Sequence, residues 1–339
     1  MRRLLLLVFG LLFLVTACRD SAENTTLLTP SSNSAQFAGQ AFVGTGGGAA
    51  ADSSEPSLQT ATSELTLTPR ATAAPTDISC NTPGQIVLGT FDSTIAGPQR
   101  NYRIYLPPCY GEQDRLYPTL YLLHGNVRAD WEWEEVGMLD SAETLIRSGA
   151  IPPLIIVMPD GRTISDTTSG GPYSYEAVIM DELIPHVEAT YCAANHARLR
   201  AIGGISRGGY WALETAFLHP EAFASVGGHS AALYDLYAGP DINPQYTGIE
   251  NDLSGLRIYF DIGENDYLRN NIEQLHEAMQ EKSVPHVWQL NEGQHADPYW
   301  SEHVDEYLRW YMEPWQKLNL SVTACDAPSV AGEPVEPAN

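Results

Sequence analysis

The chain has 339 residues, with 42 Asp and Glu against 18 Lys and Arg and a formal charge of −24. Neutralising phosphate takes a basic surface, so nucleic acid is excluded as a partner, and an acidic substrate is disfavoured unless a local arginine receives it. The length admits one large domain or two small ones, and 43% hydrophobic residues are enough to fill a core.

The first residues read as an export signal. Met1-Arg2-Arg3 is basic, residues 4–15 are apolar, and Val15-Thr16-Ala17-Cys18 closes the run. About twelve apolar residues are too few for a permanent membrane span. Small residues followed by Cys18 resemble a bacterial lipobox, in which the cysteine becomes the lipidated first residue. The expectation is an exported lipoprotein, tethered through Cys18 on the cell surface or periplasmic face. Residues 19–78 are rich in Ser, Thr, Ala and Gly without a sustained apolar period, which predicts a disordered linker. Residues 79–326 carry the folded domain and 327–339 form a flexible tail. Residues 81–339 hold 36 acidic against 14 basic side chains, a balance that solubility alone explains.

Four cysteines follow Cys18, and export permits them to pair. Cys80 and Cys109 flank two strand-like runs, residues 86–91 and 102–106, joined by a turn at Ala96-Gly97-Pro98. A hairpin there brings the two cysteines together and leaves Cys192 to pair with Cys325.

Beyond the hairpin, short apolar runs at residues 119–123, 154–158, 199–202, 224–227, 256–262 and 287–290 are continuous rather than alternating. Parallel strands covered on both faces have that pattern. Helical periodicity lies between them, at residues 138–147, 175–191, 210–218, 270–281 and 301–311. The expected fold is α/β, a mostly parallel sheet with helices on both faces and an antiparallel N-terminal hairpin. Ligands in such sheets bind at the carboxyl ends of strands, so chemistry is sought just after each run.

The fifth apolar run, counting both hairpin strands, meets Gly204-Ile205-Ser206-Arg207-Gly208 and then a helical pattern. A sharp strand-to-helix turn of this type exposes a serine, and its flanking glycines avoid a collision across the turn. His124-Gly125-Asn126 follows the third run, and a backbone N–H there joins that of the residue after the nucleophile in holding an oxyanion; Asn126 and Arg207 are the expected donors. Asp261, Glu264 and Asp266 compete for the role of acid. Asp261 falls inside the strand, where it is expected to bond backbone, so Asp266 is preferred. Nine histidines are present, and only His295 follows the last strand in a glycine-containing loop, completing the order Ser, Asp, His. Serine needs a base, the base an orienting acid, and the chemistry no cofactor. No metal site is expected, since H-E-x-x-H is absent and Asp241-x-Asn243-x-Gln245 has Tyr246 where a calcium loop needs glycine.

These residues resemble the putative-esterase family of the α/β-hydrolase superfamily, which includes S-formylglutathione hydrolases, feruloyl and acetylxylan esterases and mycolyltransferases. The resemblance spans residues 85–311 and is carried by Tyr121-Leu122-Leu123-His124-Gly125, Val157-Met158-Pro159-Asp160-Gly161, Gly204-Ile205-Ser206-Arg207-Gly208-Gly209, Asp261-x-Gly263-x-x-Asp266 and Gly293-Gln294-His295. It implies an α/β-hydrolase fold and a serine carboxylesterase in which Ser206 is the nucleophile, His295 the base and Asp266 the acid. Small acyl, acetyl or feruloyl esters linked to carbohydrate are the implied substrates. Trp131 and Trp133 are read as lining an acyl or aryl pocket, with packing as the alternative role, and Tyr175 and residues 234–250 as capping it. An acyltransferase with the same triad, or a binding protein that keeps the fold without catalysis, stands as the alternative function.

Overall fold

The computed structural model describes residues 81–112, 115–162, 164, 169–316, 318 and 325. All belong to the compact unit Thr62–Asn339. The expected signal, linker and tail, together with Cys18 and Cys80, lie outside the described residues.

Eight strands form one sheet: β1 (Gln85–Ser93), β2 (Gly97–Leu106), β3 (Thr119–Leu123), β4 (Ile155–Pro159), β5 (Arg200–Ile205), β6 (Ser225–His229), β7 (Arg257–Gly263) and β8 (Val287–Asn291). Their order is β1-β2-β4-β3-β5-β6-β7-β8. β1 pairs antiparallel with β2 and β2 with β4, and every later pairing is parallel. This is the α/β-hydrolase arrangement. The central strands β3, β4, β5 and β6 are buried at every position, as continuous apolar runs require. β1 alternates buried and exposed residues because one of its faces meets solvent.

The helices are α1 (Glu132–Glu135), α2 (Met138–Arg147), α3 (Tyr175–Ala177), α4 (Ile184–Thr190), α5 (Arg207–Leu218), α6 (Pro244–Glu250), α7 (Arg269–Glu281) and α8 (Asp297–Gln316). They cover the sheet from both sides, which splits the core in two. Tyr121 and Leu123 of β3 pack with α5 and α7. Leu120 and Leu122 of the same strand pack with α2 and α8, as the two-residue strand period dictates. Between α3 and α4 the helix widens to a π-turn at Val178–Leu183. Pro185 follows at once and offers no N–H to the turn before it, so the helix expected over 175–191 is broken into three pieces.

Cys192 and Cys325 are bridged, with Cα atoms 5.4 Å apart at a sequence separation of 133. On the chain-entropy account, closing a loop of that length stabilises the fold by about 4–5 kcal/mol. Cys109 is also disulfide-bonded, and Cys80, its expected partner, is not among the described residues.

A buried polar cluster joins α8 to the sheet. His229 Nδ1 lies 2.7 Å from Asp261 Oδ1. Tyr299 and Tyr307 donate to Asp261 Oδ2 at 2.8 and 2.6 Å. The Tyr311 hydroxyl lies 3.0 Å from His229 Nε2. Asp261 and His229 are both 0% exposed, a location that charge tolerates only when fully hydrogen-bonded. The expectation that Asp261 bonds backbone is therefore corrected: α8 supplies hydroxyls that the strand itself cannot. Gly203 and Gly227, neighbours on β5 and β6, leave the space that the Tyr311 hydroxyl fills, and a Cβ on either would collide with it.

Gly203→Ala is expected to cost about 2 kcal/mol through this overlap, and Tyr311→Phe about 1–2 kcal/mol through the orphaned imidazole. Because the phenylalanine removes the colliding atom, the double variant should fall short of their sum by about 1 kcal/mol. Urea denaturation of the four proteins measures this, and simple additivity would refute the packing account.

Candidate active site

β5 ends at Ile205, and Ser206 stands at φ 56°, ψ −116° before α5 begins. L-residues avoid that region at a cost of about 1–3 kcal/mol. Three backbone bonds hold it: Ser206 N donates to His229 O at 2.8 Å, while Ala232 N and Tyr210 N donate to Ser206 O at 2.9 and 3.2 Å. A Cβ at Gly204 would strike the Gly208 carbonyl, and one at Gly208 the carbonyls of Leu123 and His124. Both glycines are thus required by closeness to neighbouring backbone.

Three sequence-chosen residues meet here. Ser206 Oγ lies 2.9 Å from His295 Nε2, and His295 Nδ1 lies 2.8 Å from Asp266 Oδ2. A carboxylate only accepts, so Nδ1 carries the proton and Nε2 is left to receive that of the serine. The second oxygen of Asp266 accepts from Leu268 N at 2.8 Å, which fixes the carboxylate plane. The acid and histidine loops are knitted by Glu264 N to Asn291 O at 2.7 Å and Asn265 N to Gly293 O at 3.0 Å. The Asp266 side chain is 0% exposed and that of His295 12%, so the carboxylate is sealed while the imidazole reaches solvent.

The expected oxyanion donors flank the serine. Arg207 is the first residue of α5, where N–H groups point out of the helix end and the dipole favours negative charge. Asn126 follows Gly125, whose missing Cβ would stand 3.4 Å from the Ser206 Cβ. His124 anchors this loop from below. Gly161 N donates to its Nε2 at 2.9 Å, so Nδ1 carries the hydrogen and donates to Gly125 O at 2.8 Å. Burial holds the His124 pKa below the usual imidazole range, in keeping with that neutral tautomer.

Sequence reasoning missed α1, which is too short for periodicity to reveal, and it underpins the same loop. Gly125 N donates to Glu132 Oε2 at 2.5 Å, and Trp133 Nε1 to Leu123 O at 3.0 Å. Arg128 donates to both oxygens of Asp297 at 2.8 and 2.7 Å and stacks over Trp131.

The pocket assignment is corrected in part. Trp133 is 1% exposed and Tyr175 3%: Trp133 lies edge-on to His229, and Tyr175 edge-on to Trp211. Both are buried in the body behind the site. Trp131 is half-buried. The aromatic groups beside the serine and histidine are others. Tyr267, 72% exposed, lies 4.7 Å from the His295 ring. Trp300 meets the same imidazole edge-on at 5.0 Å. The Arg207 guanidinium sits 4.0 Å above Tyr237, which packs against Tyr234. Tyr267 is legible after the fact, since it directly follows the acid.

A family model described as Putative esterase matches residues 93–316. An endo-1,4-beta-xylanase/feruloyl esterase of Xylanibacter ruminicola is 33% identical over 162 residues, 44% of this chain and 22% of that protein. An esterase of Mycobacterium tuberculosis is 32% identical over 145 residues, 41% of this chain and 31% of that protein. The chain thus spans a third or less of these curated relatives. Among solved structures, a ferulic acid esterase superposes with a TM-score of 0.63 at 24% identity, covering 69% of this chain and 99% of the other. A fluorophosphonate-binding serine hydrolase of Staphylococcus aureus gives 0.60 at 18% identity, covering 68% and 99%. At these identities the structural likeness concerns the fold.

Two buried carboxyls set a pH dependence. Burial pushes Glu132 up to about 7. It does the same to Glu214 of α5, to about 7, where Ser169 Oγ and Gly170 N donate at 2.5 and 3.0 Å. The unfolded chain ionises its glutamates near 4.5, so each group costs stability progressively as pH rises from there through 7. Relative to wild type, Glu214→Gln should therefore gain up to about 3 kcal/mol between pH 4 and pH 8. Thermal unfolding at the two pH values measures the change, and a pH-independent difference would contradict it.

Proposed function

The chain belongs to the Putative esterase family, and from that premise we propose that it is a serine carboxylesterase. The observation that carries this reading is the hydrogen-bonded chain from Ser206 Oγ through His295 to Asp266, mounted on a strained turn at the carboxyl edge of the sheet. Ser206 Oγ attacks the ester carbonyl carbon as His295 Nε2 takes its proton. The N–H groups of Asn126 and Arg207 receive the oxyanion, a contribution of about 10²–10³ in rate for each such donor. Collapse expels the alcohol, which leaves with the proton from His295. Water then repeats the cycle through the same imidazole, releasing the acid and restoring the serine.

The proposed substrates are small acyl or hydroxycinnamoyl esters linked to carbohydrate. The feruloyl esterase named among the relatives supports this, as does an aromatic rim made of Tyr267 beside His295 and of Tyr237, under Arg207, with Tyr234 packed against it. Flat apolar acyl groups suit such a rim. The proposed setting is outside the cytoplasm, with a tether through Cys18, a linker over residues 19–78, the esterase domain over 79–326 and a tail over 327–339. The Cys192–Cys325 bridge supports an oxidising compartment. Among the described residues no helix is long and apolar enough to cross a membrane.

The test is hydrolysis of a p-nitrophenyl ester series and methyl ferulate by the full chain, with Ser206→Ala alongside. The alanine variant should lose at least about 10⁴-fold in kcat. Equal activity in both proteins would remove Ser206 from the mechanism. Methyl ferulate turned over no better than methyl acetate, which has the same leaving group, would count against the aryl preference.

A further inference from the structure

The proposed reaction needs three groups at one point: the serine from the end of β5, the imidazole from the loop after β8, and an N–H from the loop after β3. Strand pairing fixes neighbours well, but β3 and β8 are four strand steps apart, about 19 Å across a twisted sheet at ~4.8 Å per step. Backbone pairing alone therefore leaves the oxyanion loop and the histidine loop without a direct register. One side-chain bridge crosses the interval. Arg128, two residues after Asn126, donates through one nitrogen to both oxygens of Asp297, two residues after His295, at 2.8 and 2.7 Å. The guanidinium Nε of Arg128 also stands 3.6 Å from Glu132 Oε1, and the other oxygen of that carboxyl accepts the Gly125 N–H.

We infer that Arg128, Asp297 and Glu132 form a brace that sets the oxyanion loop against the general base, making all three positioning residues for the reaction. This rests on the esterase reading above. The brace's ion pair is too exposed to serve as a stability device. Arg128 and Asp297 side chains are 31% and 40% exposed, and pairs that open to water contribute about 0–1 kcal/mol. The pair is instead a short, charge-assisted tie between the two loops, and it acts on groups whose displacement by about 1 Å costs up to 10²-fold in rate. Asp297 also begins α8, where a carboxylate suits the helix dipole, so the anchor stays in place without Arg128. Glu132 is 2% exposed and holds the loop amide from the inside.

The experiment compares the full-chain wild type with Asp297→Asn, Arg128→Met, their double variant, Glu132→Ala and Glu132→Gln. Esterase kinetics, fluorophosphonate labelling and hydrogen exchange of residues 124–131 are read together. Asp297→Asn and Arg128→Met should each lower kcat about 5–20-fold with KM within about twofold, and the double variant should be no worse than either single one. Glu132→Ala should fall at least as far, while Glu132→Gln, which keeps an acceptor for Gly125 N–H, restores most of the rate. Exchange in residues 124–131 should speed up in the Arg128 and Asp297 variants while α5 is unchanged. Unaltered exchange and kcat in both surface variants would overturn the brace, as would additive losses in the double variant. If wild type is inert toward every ester and the fluorophosphonate, the esterase reading fails instead. Exchange then decides whether the brace holds the loop.

Discussion

A serine at φ 56°, ψ −116° stays there only while its surroundings forbid it to relax. Two of the three bonds that hold Ser206 are tied to β6 and its following loop, through His229 O and Ala232 N. β6 is in turn locked to β7 and α8 by the His229–Asp261–tyrosine cluster. The strain at Ser206 is thus maintained by hydrogen bonds formed behind it, among buried groups. The site depends on this chain of support in the order strand, turn, helix.

The protein contains two histidine–aspartate pairs with nearly the same geometry, 2.8 Å for His295–Asp266 and 2.7 Å for His229–Asp261. What separates them is the partner on the far side of the imidazole. His295 faces a serine and keeps an opening to solvent. His229 faces a tyrosine hydroxyl and is sealed at 0% exposure. Proximity of a base and an acid is therefore not sufficient to identify chemistry. Access and the third group decide it.

Much of this was legible beforehand because the decisive signals were local. Apolar runs located the strands, and in β3 to β6 burial on both faces leaves the sequence no freedom to alternate. Ser206, Asp266 and His295 were chosen by the strand ends they follow, and that rule survives folding because the sheet places those ends along one edge. What stayed hidden was long-range or small. Arg128 and Asp297 are 169 residues apart, and no pattern in either neighbourhood announces the other. α1 has four residues, less than the window that periodicity needs. Trp133 and Tyr175 read from sequence as pocket residues, but whether an aromatic ring faces inward or outward depends on neighbours from other strands, and both are buried. Asp261 was read from its own strand, while its partners came from a helix some 40 residues later.

The bridge between Cys192 and Cys325 has a mechanical consequence. Cys325 lies beyond α8, whereas Cys192 lies just ahead of β5, in the middle of the sheet. A pull applied from beyond residue 325 therefore bypasses α8 and enters the body beside its central strand. Peeling α8 away would strip Tyr299, Tyr307 and Tyr311 from Asp261 and His229 one bond at a time, a low-force route. With the bridge closed, α8 is off the loaded path. Under reducing conditions the same pull would unzip the helix first and take with it the support for Ser206.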